Sequence, residues 1–85
     1  MKIVFLKSAV KRLMDLPPRQ RAALMMRLTA IAADPFAPHA NVKALKGEAD
    51  AFRLRLGDWR AVYRLDHAAG EMRVGPIEPR GSVYQ

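Results

Sequence analysis

The stretch AFRLRLGDWRAVYRLD, Ala51–Asp66, alternates apolar and mostly charged side chains on both sides of a Gly-Asp pair. This alternation is typical of half-buried β-strands, and glycine at the first turn position supplies the positive φ angle that a tight hairpin needs. The sequence therefore predicts a β-hairpin with its turn at Gly57-Asp58. Counting outward from the turn places Arg55 directly opposite Arg60. One face then carries the apolar core residues, and the other carries Arg53, Arg55, Arg60 and Arg64.

The residues before the hairpin predict a strand followed by two helices. Residues 2–6 are mostly apolar and predict a short strand. From about Lys7, apolar residues recur at helical spacing up to Pro17-Pro18, where the first helix ends and the second begins. The second helix runs to about Ala33 and ends at Asp34-Pro35. The apolar positions of the first helix are Val10, Leu13 and Met14.

The remaining segments complete one α+β domain. Residues 36–50 contain proline, asparagine and glycine, and we expect a loop there. A weaker strand is expected from about Glu71 to Ile77, with Gly75-Pro76 marking an edge strand or a bulge. The order βααβββ predicts a single domain, residues 1–85, in which an antiparallel sheet carries the N-terminal helical hairpin packed on one face.

The composition excludes several classes of protein. The chain has no cysteine, so a disulfide scaffold and a thiolate metal site are excluded. His39 and His67 stand alone, without partners at metal-ligand spacing, and we expect neither a metal nor a cofactor. The longest apolar run, Ala22–Met26, has five residues, far below the roughly 20 that span a bilayer. We therefore expect no membrane contact and a cytoplasmic location.

The charge favours an anionic partner. The formal net charge is +7. Residues 1–46 hold nine basic and two acidic side chains (+7), and residues 47–85 hold six of each (0). Such an excess attracts phosphate polymers or an acidic protein through long-range electrostatics.

The arginine face of the hairpin has two interpretations. It is either a solvated outer face whose aliphatic stems cover the sheet, or a cradle for an oligoanion. Like charges directly opposite one another destabilise a sheet, whereas the arginine fork grips phosphate oxygens bidentately. Because three arginines converge on this face with no acidic residue among them, the sequence favours the cradle.

The hairpin resembles the central hairpin of the RelE/ParE toxin superfamily, the toxin half of bacterial type II toxin–antitoxin pairs. Four other segments resemble that family in the same order along nearly the whole chain. They are IVFLKSAVKRLMDLP at residues 3–17, the second helix closed by AADP at 32–35, VKALKG at Val42–Gly47, and PRGSVY at Pro79–Tyr84.

The RelE branch implies endoribonucleolytic cleavage of mRNA in the ribosomal A site without a metal. The ribose 2′-OH attacks the adjacent phosphorus and leaves a 2′,3′-cyclic phosphate and a 5′-OH. By resemblance, Arg53 and Arg55 match the paired basic residues of the first hairpin strand, which are often lysines in that branch. Arg60 matches the phosphate-binding arginine, Arg80 the arginine of the C-terminal tail, and Tyr84 the proposed general base.

Three further residues are candidate RNA contacts. Lys43 and Lys46 flank the expected cradle, and Arg64 shares its face. The tail departs from the family pattern at Glu78, which brings a negative charge to a corner where the family usually has basic residues or histidine.

Two other functions remain open at the level of sequence. The ParE branch shares the fold but poisons DNA gyrase, and a non-catalytic basic module would bind nucleic acid or only its protein partner. The R-x-x-x-Y ending at Arg80 and Tyr84 favours the nuclease. In all branches of the family the resemblance implies a cognate antitoxin that presents an acidic or amphipathic segment.

Overall fold

The computed structural model describes residues 1–79. These residues form an α+β fold of two helices and one five-stranded sheet, as the sequence predicts. The elements are β1 (Lys2–Phe5), α1 (Lys7–Asp15), α2 (Pro18–Ala33), β2 (Val42–Ala44), β3 (Ala51–Leu56), β4 (Trp59–Asp66) and β5 (Glu71–Pro79).

The sheet is mixed, which corrects the prediction of a wholly antiparallel sheet. The strand order is β1-β5-β4-β3-β2. Neighbouring strands from β2 to β5 pair antiparallel, whereas β1 pairs parallel to β5. The two helices lie between β1 and the rest of the sheet in the sequence. They allow the chain to cross over, so that β1 runs in the same direction as β5.

The hairpin has the register that the alternation predicts. Arg55 lies opposite Arg60, and Leu56 lies opposite Trp59 beside the turn. Gly57 opens that turn with a φ of 56°, a conformation that glycine adopts without steric cost. The register of β3 and β4 therefore determines which arginines lie opposite one another.

The expected loop between α2 and β3 contains a strand that the sequence analysis missed. β2 adds three residues to the free edge of β3, with Lys43 opposite Arg53. Three residues are too few for a period of two to be recognised. The pairing of β2 with β3 makes this part of the expected loop an edge strand of the sheet, next to the arginines of β3.

Strand β5 lies between β1 and β4, not at the edge of the sheet. β5 extends to Pro79, two residues beyond the expected end. A register shift between Ala61 and Tyr63 on β4 accommodates Gly75-Pro76, so the predicted bulge is confirmed. The bulge removes Pro76, which has no backbone N–H, from the regular ladder.

The core lies between α2 and one face of the sheet. In α2, the buried residues Leu24, Leu28 and Ile31 form the stripe expected for a helix packed on a sheet. On the strands, the fully buried residues include Leu54, Ala61, Tyr63, Met72, Val74 and Ile77.

Helix α1 is rotated relative to the expectation from its apolar spacing. Val10 is 48% exposed and Met14 is 71% exposed, whereas Ala9 and Leu16 are buried. Leu13 is partly buried against the core. Helix α1 packs on β5, and the small Ala9 is its buried side chain. Two large apolar side chains of α1 thus remain on the surface.

The two faces of the hairpin predict opposite responses to substitution. Leu54→Ala is expected to lower the free energy of unfolding by about 2–5 kcal/mol, because it leaves a cavity in the core. Arg55→Ala is expected to be neutral or stabilising, since it removes the cross-strand repulsion with Arg60. Urea unfolding of the two variants measures both effects. If Arg55→Ala is as damaging as Leu54→Ala, the assignment of faces is wrong.

Candidate nucleic-acid interface

A basic cavity opens on the outer face of the hairpin. It has a volume of about 270 Å³ and is lined by four cationic side chains and one amide. The lining residues are Asn41, Lys43, Arg53, Arg55 and Arg60. A cavity of this kind suits a phosphate group, which guanidinium and ammonium groups bind by charge-assisted hydrogen bonds.

Three adjacent strands bring these side chains together. Lys43 on β2 lies opposite Arg53 on β3, and Arg55 on β3 lies opposite Arg60 on β4. Side chains directly opposite one another have their Cβ atoms about 4.5–5.5 Å apart. The backbone N–H of Arg55 also donates to the Asn41 carbonyl at 2.9 Å. The sheet therefore fixes the backbone positions of all five residues.

Asn41 immediately precedes β2 and has a left-handed conformation, with a φ of 62°. Asparagine tolerates this conformation better than most residues. The turn directs the chain out of the preceding loop and into β2, next to β3. Asn41 is thus a lining residue that the sequence analysis missed. A recognised β2 strand would have revealed it.

Three of the four cations that line the cavity lack an acidic partner in the part of the chain that the structure describes. Within residues 1–79, Lys43, Arg53 and Arg55 form no ion pair with an acidic side chain. Two unit charges about 5 Å apart repel by roughly 1 kcal/mol in water and roughly 3 kcal/mol at an effective dielectric of 20. A bound anion relieves this repulsion.

Arg64 and Arg73, which also lie on the outer face, form ion pairs. The Arg64 guanidinium contacts the Glu48 carboxylate at 2.8 Å. Arg73 on β5 lies 3.1 Å from Asp66 and 3.3 Å from Glu71. These exposed pairs contribute little to stability. The charges of Arg64 and Arg73 are therefore compensated by acidic side chains, and neither residue lines the basic cavity.

The structure brings together four of the eight candidate site residues: Lys43, Arg53, Arg55 and Arg60. Arg64 lies on the same outer face but forms an ion pair, and Lys46 is exposed without lining the cavity. Their contact with RNA stays a prediction. Arg80 and Tyr84 lie outside the described residues.

Glu78 occupies the corner that the sequence analysis assigned to it. It lies on β5 directly opposite Arg60, and it is half-buried. Its side chain also lines a cleft beside α1 that includes Lys11 and Arg12. The carboxylate therefore stands between two groups of cations.

Tyr63, in contrast, belongs to the core. It is 1% exposed and stacks on Phe52 with ring centroids 5.3 Å apart. Burial raises the pKa of the Tyr63 phenol above its ordinary value of 10.0. The phenol is therefore neutral at pH 7 and cannot serve as a proton acceptor there.

Residues 1–79 contain neither a metal-ligand cluster nor a helix that could span a membrane. No group of three or more histidine, cysteine, aspartate or glutamate side chains could hold a metal ion in this part of the chain. Neither helix is long and apolar enough to cross a bilayer.

Solved structures with the same architecture are RelE toxins and toxin–antitoxin complexes. A chain of the RelBE2 complex from Mycobacterium tuberculosis is 27% identical, with coverage of 93% of this chain and 96% of that one and a TM-score of 0.74. A chain of the archaeal RelE–RelB complex from Pyrococcus horikoshii is 25% identical, with 94% coverage of both chains and a TM-score of 0.80. The chain belongs to the RelE/ParE toxin superfamily.

A more distant neighbour agrees on the fold. The isolated E. coli RelE toxin is 24% identical, with coverage of 98% of this chain and 89% of that one and a TM-score of 0.81. No protein-family model and no curated protein matches the chain. The RelE/ParE assignment therefore depends on the three-dimensional fold together with the hairpin and its flanking motifs.

Proposed function

We propose that this chain is the toxin of a type II toxin–antitoxin pair and that it cleaves mRNA on the ribosome as a RelE-like endoribonuclease. The observation that carries the proposal is the convergence of Lys43, Arg53, Arg55 and Arg60 in one cavity. Similarity to RelE toxins supports the same activity.

The basic cavity matches the charge that develops during cleavage. When the ribose 2′-OH attacks the adjacent phosphorus, the phosphorane carries more negative charge than the starting diester. Fixed cations stabilise this state more than the ground state, which accelerates the reaction. Arg60 binds the phosphorane oxygens, while Arg53 and Arg55 neutralise the developing charge. The reaction proceeds without a metal ion.

Tyr84 takes the proton of the 2′-OH in this proposal, and Arg80 binds the phosphate from the tail. Tyrosine side chains have an ordinary pKa of about 10, too high for an efficient base at pH 7. A guanidinium group beside a phenol favours the phenolate form. In this proposal the arginines stabilise the transition state and also lower the pKa of the Tyr84 phenol.

Induction of the gene in a bacterium without its antitoxin tests the function. Growth should stop together with loss of full-length mRNA. Growth arrest with intact mRNA, broken DNA and damage signalling would instead identify a gyrase poison of the ParE kind. Normal growth with normal mRNA would favour a basic module without catalytic activity.

The partner in this proposal is an antitoxin with an acidic, amphipathic segment. Val10 and Met14 leave two large apolar side chains exposed on α1, and Lys7 and Lys11 flank them in the sequence. An acidic segment with an apolar face complements this surface. Similarity to chains of solved toxin–antitoxin complexes from other organisms supports an antitoxin as the partner.

Association with the antitoxin should be fast at low salt and slower as salt increases, because the basic surface attracts the acidic segment. Met14→Glu should weaken binding by about 10–100-fold, since about 1.5–3 kcal/mol of apolar burial is lost. Gln20→Glu, an equal charge change at an exposed position of α2, is the control. Surface plasmon resonance measures both. Equal effects of the two variants, or a salt-independent association rate, would contradict this contact.

A further inference from the structure

The reaction proposed above needs a proton donor as well as a base. As the P–O5′ bond breaks, the departing 5′-oxygen gains negative charge, and protonation by a positioned side chain accelerates that step. Arginine is ill-suited to this task, because a guanidinium group stays protonated in proteins. Arg53, Arg55 and Arg60 can therefore stabilise charge but cannot act as the acid.

Lys43 is the remaining cation of the cavity. Among the described residues that line it, Lys43 alone is an amine, and an ammonium group gives up a proton more readily than a guanidinium group does. It lies directly opposite Arg53 in the register of β2 and β3. It is exposed and forms no ion pair with an acidic side chain of residues 1–79. Its ammonium group is thus accessible to a ligand in the cavity.

The other titratable groups outside the tail are less suitable. His67 lies 3.1 Å from Asp50 and stacks on Phe36, away from the cavity. His39 lines an apolar groove with Phe52 and Tyr63, on the core side of the sheet. Glu78 is an acceptor when ionised. Lys43 is therefore the residue that both lines the cavity and has a side chain suited to donate a proton.

We propose that Lys43 is the general acid that protonates the departing 5′-oxygen. The inference rests on the proposed ribonuclease function. The 2′-oxygen forms a bond to phosphorus and gives its proton to the base, while the P–O5′ bond breaks and the Lys43 Nζ gives a proton to O5′. The products are a 2′,3′-cyclic phosphate, a 5′-OH and a neutral amine, which solvent reprotonates.

A substrate that needs no acid separates this role from simple charge. An mRNA with a 5′-bridging phosphorothiolate at the cleavage site has a sulfur leaving group that departs without protonation. On native mRNA bound to ribosomes, Lys43→Arg should slow single-turnover cleavage by about 10²–10⁴-fold. On the sulfur substrate, Lys43→Arg and the wild type should cleave at similar rates.

Lys2→Arg provides the control, because Lys2 is an exposed lysine of β1 at the opposite edge of the sheet. It should cleave both substrates at the wild-type rate. The inference is overturned if Lys43→Arg cleaves native mRNA normally, or if it is equally slow on both substrates. A wild-type chain that cleaves neither substrate would overturn the ribonuclease function itself, and the general acid with it.

Discussion

Arg60→Ala is expected to reduce the rate of mRNA cleavage by roughly 10²–10³-fold, the usual cost of losing one contact to a developing oxyanion. The arginine is half-buried on β4, opposite Arg55, and it lines the basic cavity. Because its contacts strengthen as negative charge accumulates on phosphorus, the loss should appear mainly in kcat. Single-turnover cleavage of ribosome-bound mRNA measures it.

Arg73→Ala is the matched control for this prediction. Arg73 is an exposed arginine on the same outer face, but it pairs with Asp66 and Glu71 and does not line the cavity. Its replacement should leave cleavage unchanged. Arg60→Lys keeps the charge without the bidentate fork, and its rate should be intermediate. Equal losses in Arg60→Ala and Arg73→Ala would mean that general positive charge, and not the cavity, supports cleavage.

Tyr84→Phe is expected to cost about 10²–10⁴-fold in cleavage, the range of general base catalysis. The change removes a single hydroxyl, so it separates proton transfer from packing. Cells should therefore grow when this variant is produced without antitoxin. Growth curves and the level of full-length mRNA provide the measurement.

Tyr63→Phe is the control for the tyrosine prediction. Tyr63 is buried in the core and lies outside the cavity, so this variant should stay toxic. A fully toxic Tyr84→Phe would eliminate the tyrosine base. If its cells also contained intact mRNA and broken DNA, the gyrase-poison alternative would take its place.

The central hairpin could be derived from the sequence because its information is local. Alternation over Ala51–Asp66 fixes the two faces, and the Gly57-Asp58 turn fixes the register. A shift of one residue would turn every apolar side chain toward water. The opposition of Arg55 and Arg60 therefore followed from counting alone.

The surroundings of the hairpin depend on contacts between distant parts of the chain. β2 has only three residues, and its pairing with β3 is what places Lys43 and Asn41 at the cavity. The direction of β1 depends on β5, near the other end of the described chain. Helix α1 packs on β5 and buries Ala9, an arrangement that the spacing of Val10 and Met14 does not reveal.

The chemistry of the RNA ends tests the central claim most directly. The purified chain is mixed with ribosomes that carry an end-labelled mRNA, and the fragments are analysed for their terminal groups. Attack by the 2′-OH predicts a 2′,3′-cyclic phosphate on the upstream fragment and a 5′-OH on the downstream fragment. Fragments that end in a 3′-OH and a 5′-phosphate, or mRNA that remains intact, would contradict the account.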